Sequence, residues 1–202
     1  MQKKLLAIST SPRTHGNSDS AVDLLIDAVG SHFSVEKVSL KSVPFSACRG
    51  CGFCEKDGEC IQKDGFIPLM EKLISCDVLV FASPVYALSV CAQAKAVIDR
   101  CQALWARKYL LKTIANMPDK RGVFIATAGQ TYPEVFDHTV PVARFLFDVS
   151  GVRNANMQYV LLKGLDKKQD FSKSDEAKEA VLQAAAELVK NMDGHSIHVD
   201  LV

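Results

Sequence analysis

The feature that most constrains the fold of this chain is the regular alternation of short strand-like runs with longer stretches of helical spacing. Five runs have the length and apolar pattern of strands: residues 3–9, 33–38, 77–82, 122–127 and 157–162. Between and after them, apolar residues recur at helical spacing over residues 18–29, 65–75, 90–104, 133–149 and 175–192. Strands that alternate with helices predict a parallel sheet covered by helices on both faces.

The length of the chain limits how these units can assemble. A chain of 202 residues, 48% hydrophobic and 23% charged, is typical of one folded domain and not of a disordered protein. Five strand–helix units in such a chain predict a flavodoxin-like three-layer α/β sandwich. Its five-stranded parallel sheet would have the order 2-1-3-4-5, with helices on both faces. We therefore expect a single domain over residues 1–202.

Three segments depart from this regular pattern. Residues 41–65 form a Cys-rich loop without periodicity, which we interpret as functional. Residues 109–121 would either cover a substrate or form an interface. Residues 195–202 alternate apolar and polar residues, which is typical of an additional edge strand. Pro141 lies inside the fourth helical stretch and is expected to kink or split that helix.

The charge of the chain bears on its partners and location. The formal net charge is +1, so bulk electrostatics predict binding neither to nucleic acid nor to an anionic membrane. The first apolar run is too short for a signal-peptide core or a membrane span, which predicts a cytoplasmic protein. Seven Cys in a reducing compartment, four of them clustered, indicate metal binding or catalysis and not disulfides.

The loop after the first strand is rich in groups that bind an anion. It reads Ser9-Thr10-Ser11-Pro12-Arg13-Thr14-His15-Gly16-Asn17-Ser18, directly before a helix whose first N–H groups and dipole favour a phosphate. The chain contains neither a Walker motif nor a G-x-G-x-x-G sequence, which argues against hydrolysis of a nucleoside triphosphate and against a dinucleotide site. A monophosphate such as that of FMN suits the loop. The alternative is an ordinary polar loop in which Asn17 or Ser18 caps the helix.

The loop after the third strand would complete such a site. It reads Ser83-Pro84-Val85-Tyr86 and offers an apolar wall and an aromatic face to a planar ring. In a doubly wound sheet, ligands bind at the carboxyl ends of the strands where the strand order reverses, here between the first and third strands. The alternative is a Ser-Pro turn whose tyrosine covers the core.

Four cysteines form the most specific motif of the chain. Cys48, Cys51, Cys54 and Cys60 have the spacing C-x2-C-x2-C-x5-C. Three cysteines at successive i, i+3 spacing with a fourth close behind suit the corners of a [4Fe–4S] cluster. Zinc and a metal-free redox-active thiol loop are the competing interpretations. The other three cysteines lie on apolar helical faces and are interpreted as core thiols.

With these residues in view, the chain resembles the iron–sulfur flavoproteins, within the NAD(P)H-dependent FMN reductase and flavodoxin-like superfamily. The similarity lies in residues 9–18, in the Cys motif and in residues 83–100. The resemblance implies FMN phosphate contacts from the loop after the first strand. It also implies isoalloxazine contacts from the loops after the third and fourth predicted strands. With their motif neighbours Pro12 and Ser83, the FMN-binding residues would be Ser9, Ser11, Pro12, Arg13, Asn17, Ser18, Ser83, Pro84, Val85, Tyr86, Ala128 and Gly129.

The resemblance also implies an activity and an assembly. The four motif cysteines would carry a [4Fe–4S] cluster, and the protein would be a homodimer or homotetramer. It would act as an FMN-dependent oxidoreductase that passes electrons from ferredoxin or NAD(P)H to a small-molecule or protein acceptor. No side chain is assigned a catalytic role. The alternatives are a cluster-free NAD(P)H-dependent FMN or quinone reductase, and a zinc or thiol redox sensor without turnover.

Overall fold

The sheet has the predicted order. In this computed structural model, which describes residues 2–192, the strands are β1 (Lys3–Ser9), β2 (Phe33–Ser39), β3 (Val78–Tyr86), β4 (Ser89–Val90), β5 (Arg121–Thr127) and β6 (Met157–Leu162). The five long strands are parallel and pair in the order β2-β1-β3-β5-β6. The two-residue strand β4 pairs antiparallel to the end of β3 and forms a hairpin. The predicted flavodoxin-like three-layer fold is confirmed, while the edge strand predicted over residues 195–202 lies outside the described residues.

Helices cover both faces of this sheet because its inner strands, β1, β3 and β5, are apolar on both sides. The helices are α1 (Asn17–Val29), α2 (Cys54–Asp57), α3 (Phe66–Ser75), α4 (Ala92–Arg100), α5 (Gln102–Trp105), α6 (Thr139–Val149), α7 (Asp170–Lys173) and α8 (Asp175–Met192). Leu5 and Ala7 of β1 pack in the cluster that includes α1 and α8, whereas Leu6 and Ile8 pack in the cluster that includes α3, α4 and α6. Within residues 2–192, no helix combines the length and apolar character that crossing a membrane requires.

The fourth helical stretch is split, as expected, but not at Pro141. A short 3₁₀ turn over Pro133–Phe136 precedes α6, which begins at Thr139. Pro141 therefore lies in the first turn of α6, where a backbone N–H has no partner within the helix and proline is tolerated. The expected kink within the helix is thus replaced by a break before it.

Residues after α5 are tied to α6. They begin as a π-helix over Ala106–Leu110, and Lys108 Nζ donates to the backbone oxygen and to Oδ1 of Asp148, each at 2.6 Å. The Tyr109 hydroxyl donates at 2.5 Å to the other carboxylate oxygen of Asp148. This hydrogen bond, with partial burial and the nearby negative charge, raises the pKa of Tyr109 to about 12.

Candidate functional site

The carboxyl ends of β1, β3 and β5 border a cavity of about 360 Å³. It lies at the switch point between β1 and β3, where doubly wound sheets bind their ligands. Nine of the twelve residues predicted to bind FMN line it: Ser11, Arg13, Asn17, Ser18, Pro84, Val85, Tyr86, Ala128 and Gly129. Ser9, Pro12 and Ser83 do not. Ser9 and Ser83 are buried, and the Ser83 hydroxyl accepts a hydrogen bond from Cys91 N, which holds the β3–β4 hairpin.

The start of α1 forms one end of the cavity and is suited to an anion. Its N-cap position is Gly16, and no side chain caps the helix. Its first helical bond runs from Ser20 N to Gly16 O, so the backbone N–H groups of residues 17–19 have no acceptor within the helix. Ser18 Oγ is buried and has no hydrogen-bond partner among the described residues. Uncapped N–H groups and a buried free hydroxyl together make this end a cradle for a phosphate.

The loop that precedes α1 is held in shape by its own contacts. Ser11 Oγ donates to Arg13 O and accepts from Arg13 N, both at 3.1 Å. Gly16 packs closely against this turn, because a Cβ atom there would lie 2.9 Å from Ser11 Oγ. The Arg13 side chain is left exposed at the cavity. A pre-formed loop of this kind can bind an anion with little ordering cost.

Asn17 lines the cavity, as predicted, and its side-chain amide bonds to a distant segment of the chain. Its Nδ2 donates to Leu165 O and Lys167 O, both at 3.0 Å, and its Oδ1 accepts from Phe171 N at 3.1 Å. The side-chain amide therefore ties α1 to the loop after β6. That loop supplies Leu165 and Asp166 to the cavity wall. Asn17 thus shapes the cavity through a neighbouring segment, and both N–H donors of its side-chain amide are already used.

Asp19, an acidic residue beside the phosphate cradle, is ionised and paired with a lysine. Burial would raise the pKa of Asp19, but the hydrogen bond and positive charge of Lys37 outweigh it and hold that pKa below its usual range. Lys37 Nζ lies 2.9 Å from Asp19 Oδ1, and the same carboxylate accepts a hydrogen bond from His15 N. The negative charge of Asp19 is therefore paired next to the cradle and opposes an incoming anion less.

The β3–β4 hairpin forms the other side of the cavity. Its turn residues Ala87 and Leu88 both have positive φ, 48° and 66°, which is strained for residues with a Cβ. Strain of this kind is retained where the surrounding structure requires it, and here it presents Tyr86 and Leu88 at the cavity. Tyr132 contributes a second tyrosine from the loop after β5. An apolar wall with two aromatic rings suits a planar ligand.

Several wall residues were not predicted from the sequence. They are Ala87, Leu88, Thr127, Gln130, Tyr132, Val135, Leu165 and Asp166. Gly129 lies directly against Asp166, because a Cβ atom at Gly129 would be 2.7 Å from Asp166 Oδ1. Gln130 and Tyr132 follow the predicted fourth strand within five residues, so the sequence places them near the site. No sequence pattern links Leu165 and Asp166 to it. Residues 109–121 line neither this cavity nor the one described next.

A second cavity, of about 230 Å³, is lined by all four motif cysteines. Cys48 and Cys51 are exposed, and Cys54 and Cys60 are partly buried. Burial raises the pKa of Cys54, and the other three cysteines add to this effect through their charge, Cys60 most of all. The loop can wrap around a bound group because Gly50, Gly52 and Gly58 adopt positive φ, with values of 63°, 67° and 78°.

The donor chemistry of this second cavity suits a soft metal centre. Four thiols are the ligand set of iron–sulfur clusters and of structural zinc. Within residues 2–192, no three His, Cys, Asp or Glu side chains are already arranged as the ligands of one metal ion. The three remaining cysteines, Cys76, Cys91 and Cys101, are buried, as core thiols are.

Fold and site together define a class of protein: a doubly wound α/β protein of flavodoxin-like strand order with a cavity at its β1/β3 switch point. The chain belongs to the NADPH-dependent FMN reductase family, whose model matches residues 3–147. This match confirms the predicted class of flavin-dependent oxidoreductase.

Curated relatives extend the comparison. The chain is 41% identical over 98 residues to an iron-sulfur flavoprotein of Archaeoglobus fulgidus, a match that covers 48% of this chain and 44% of the relative. It is 32% identical over 102 residues to an iron-sulfur flavoprotein of Methanocaldococcus jannaschii, covering 50% of this chain and 53% of the relative. The chain thus spans about half the length of these relatives. The resemblance inferred from the motifs is confirmed.

Solved structures share the fold. An azoreductase from Bacillus anthracis superposes with a TM-score of 0.65 at 18% identity, covering 93% of this chain and 98% of that one. An FMN-dependent NADH-azoreductase from the same species, solved in complex with FMN, gives 0.65 at 15% identity and covers 93% and 99% of the two chains. At these identities the likeness concerns the fold alone.

Proposed function

We propose that this protein is an FMN-dependent oxidoreductase of the iron–sulfur flavoprotein type. It would pass electrons between a reduced donor, either ferredoxin or NAD(P)H, and a small-molecule or protein acceptor. The observation that carries the proposal is the start of α1, where uncapped N–H groups and the free buried Ser18 hydroxyl meet at a cavity with an aromatic wall. Family membership and the names of the curated relatives support it.

The phosphate of FMN would be held at the α1 end of the cavity. Ser18 Oγ, the backbone N–H groups at the start of the helix and the Arg13 guanidinium are the donors that remain available there. Ser11 and Asn17 would act by shaping the loops around the phosphate, because their polar side-chain atoms are already hydrogen-bonded. Ser9, Pro12 and Ser83, which lie away from the cavity wall, would support these loops from outside it.

The isoalloxazine ring would lie against the hairpin. Pro84, Val85 and Tyr86 would contact one side of it, while Ala128 and Gly129 would border its edge. When bound, FMN accepts two electrons as a hydride or one electron at a time, and so can link a two-electron donor to a one-electron acceptor. The protein would orient the ring and exclude water from it. Within residues 2–192, we assign no side chain a role in proton transfer.

The four motif cysteines would hold a [4Fe–4S] cluster. Cys48, Cys51, Cys54 and Cys60 line one cavity, and the intervening loop has three glycines in the left-handed conformation. The single helix α4, about 13 Å long at 1.5 Å per residue, follows the β3–β4 hairpin of the first cavity and ends at Arg100 of the second. Assembly as a homodimer or homotetramer would bring further pairs of cofactor sites together.

The proposal is tested by the cofactor content of protein purified without oxygen. We expect about one FMN and about four iron and four sulfide ions per chain. Cys51→Ser should lose iron and keep FMN, whereas Cys76→Ala, which removes a buried thiol away from both cavities, should keep both. Protein that binds iron and sulfide but no FMN would overturn the flavin site, and protein with stoichiometric zinc and no flavin would favour a sensor.

A second candidate is a cluster-free NAD(P)H-dependent FMN or quinone reductase. It is favoured by one observation: in the described part of the chain, no three side chains are pre-arranged for a metal ion. On this alternative, anaerobic protein contains FMN without iron, and Cys51→Ser oxidises NAD(P)H with a quinone as fast as the unmodified protein. A loss of that activity in Cys51→Ser would contradict it.

A further inference from the structure

Arg100, the last residue of α4, is buried against the Cys-rich loop with no exposed side-chain surface. Its Nη1 donates to Ser46 O at 2.7 Å and to Asp64 Oδ2 at 2.8 Å. Its Nη2 donates to Gln62 O at 3.1 Å and to Asp64 Oδ1 at 3.0 Å. The Phe66 ring lies 4.6 Å from the guanidinium carbon. One side chain thus ties together the segments that precede and follow the four motif cysteines.

One donor of this guanidinium is left over. Arg100 Nε is buried and has no hydrogen-bond acceptor among the described residues. Arg100 also lines the cavity that the four cysteines share. Burial would lower the pKa of Arg100, but its ion pair with Asp64 and the nearby Cys60 sulfur hold that pKa above its usual value. Buried donors in native proteins are nearly always satisfied, so one left free at a cavity indicates a group that completes it.

Arg107 is a second arginine that contacts the same loop, and it provides a contrast. Its Nε donates to Gly58 O at 2.9 Å, its Nη1 to Glu71 at 3.2 Å, and its Nη2 to Glu59. Each of its three nitrogens therefore has an acceptor, and Arg107 does not line the cysteine cavity. Both arginines anchor the loop, but only Arg100 keeps a donor beside the thiols.

We propose that Arg100 is a positioning residue for the thiolate site, which fixes the Cys-rich loop and donates its Nε–H to the sulfur of Cys60 when that sulfur is a ligand. The inference rests on the proposed cluster-bearing function. A hydrogen bond and a positive charge at a ligand sulfur stabilise the more negative, reduced state of the bound centre and so raise its reduction potential. Lysine lacks both the planar fork and the Nε donor, so it cannot replace Arg100 in this role.

The test compares Arg100→Lys with Arg107→Lys, a matched change at the other arginine that contacts the loop. Each protein is loaded anaerobically with FMN, iron and sulfide, and three quantities are measured: the Kd for FMN, the iron lost to a chelator, and the cluster potential by redox titration followed by electron paramagnetic resonance. We expect Arg100→Lys to lower the potential and to release iron about 10–100-fold more readily. Arg107→Lys should keep the potential, and both should bind FMN normally.

Asp64→Asn distinguishes the effect of the Arg100 Nε–H hydrogen bond from the effect of a less firmly held Cys-rich loop. It weakens the same ion pair but leaves the Nε–H in place, so we expect lower thermal stability and a potential that does not fall. Equal potentials in Arg100→Lys and the unmodified protein would overturn the inference and leave the proposed function intact, as would an equal fall in Arg100→Lys and Asp64→Asn. If Arg100→Lys fails to bind FMN, the cluster potential of Asp64→Asn decides. A potential below that of the unmodified protein would then overturn the inference. Unmodified protein that binds FMN but takes up no cluster would overturn both the cluster assignment and this inference.

Discussion

Ser18→Ala should change the stability of the FMN-free protein and its affinity for FMN in opposite directions. Ser18 is 1% exposed, and its hydroxyl has no hydrogen-bond partner among the described residues. A buried hydroxyl without a partner destabilises a protein by about 1–3 kcal/mol relative to a satisfied one. Its removal leaves no other group unpaired, so we expect the FMN-free variant to be as stable as the parent or up to about 1 kcal/mol more stable.

The effect on FMN binding follows from the charge of the phosphate. A hydrogen bond to a charged group contributes about 1.5–3 kcal/mol. Since each 1.4 kcal/mol corresponds to a tenfold change in Kd, Ser18→Ala should weaken FMN binding by about 10- to 150-fold. A stabilised free protein together with weakened FMN binding is the combination expected of a donor that stays unpaired until the ligand binds.

Both quantities can be measured on one preparation. FMN fluorescence, quenched on binding, gives the Kd of the FMN-free protein, and thermal unfolding of the same sample gives its stability. Ser150→Ala is the matched control, because Ser150 is also buried with an unpartnered hydroxyl but lies away from the cavity. It should leave the Kd unchanged. An unchanged Kd in Ser18→Ala would refute the assignment of this hydroxyl to the phosphate.

Three further predictions concern the frame around the site. Asn17→Ala removes three hydrogen bonds to the loop after β6 and should lower the free energy of urea unfolding by about 1–3 kcal/mol; an unchanged value would show that the loop holds without them. Asp148→Asn should lower the pKa of Tyr109 from about 12 towards 10, measured by tyrosinate absorbance against the same variant carrying Tyr109→Phe. Because the folded protein holds this proton more tightly, the contribution of Tyr109 to stability is complete below pH 10 and is lost as the pH rises through 12; a pH dependence that survives Asp148→Asn would contradict this. Gly122→Ala would place a Cβ atom 2.6 Å from the Phe147 ring and should cost about 1–3 kcal/mol in thermal unfolding, whereas an unchanged Tm would mean that the ring can move aside.

The fold could be predicted from the sequence because its signals are local. Alternation along β1 sends Leu5 and Ala7 to one core and Leu6 and Ile8 to the other, which marks a strand buried on both faces. The sheet order then follows from the general rules of doubly wound folds. One boundary was predicted wrongly. The apolar spacing indicated a helix from residue 133, whereas α6 begins at Thr139.

The candidate site could be predicted only where its residues belong to short motifs. The composition of residues 9–18 predicts an anion site, and the Ser-Pro-Val-Tyr segment predicts a wall for a planar ring. Each signal is contained in a few consecutive residues. The role of Asn17 could not be read in this way, because its amide partners lie about 150 residues further along the chain. The same holds for Asp166, which reaches the cavity only because the loop after β6 folds back against α1 and Gly129.

The sequence by itself determined the βα alternation, the anion-binding composition of the first loop and the four-cysteine spacing, since each depends on residues close together in the chain. The tertiary structure decided which polar groups are used and which remain free. Ser18 and Arg100 each keep a buried donor that has no partner among the described residues, while Asn17 and Arg107 use their donors to hold the protein together. The physical reason is that hydrogen-bond satisfaction depends on which distant segments pack against a side chain, and residue type alone does not specify those neighbours.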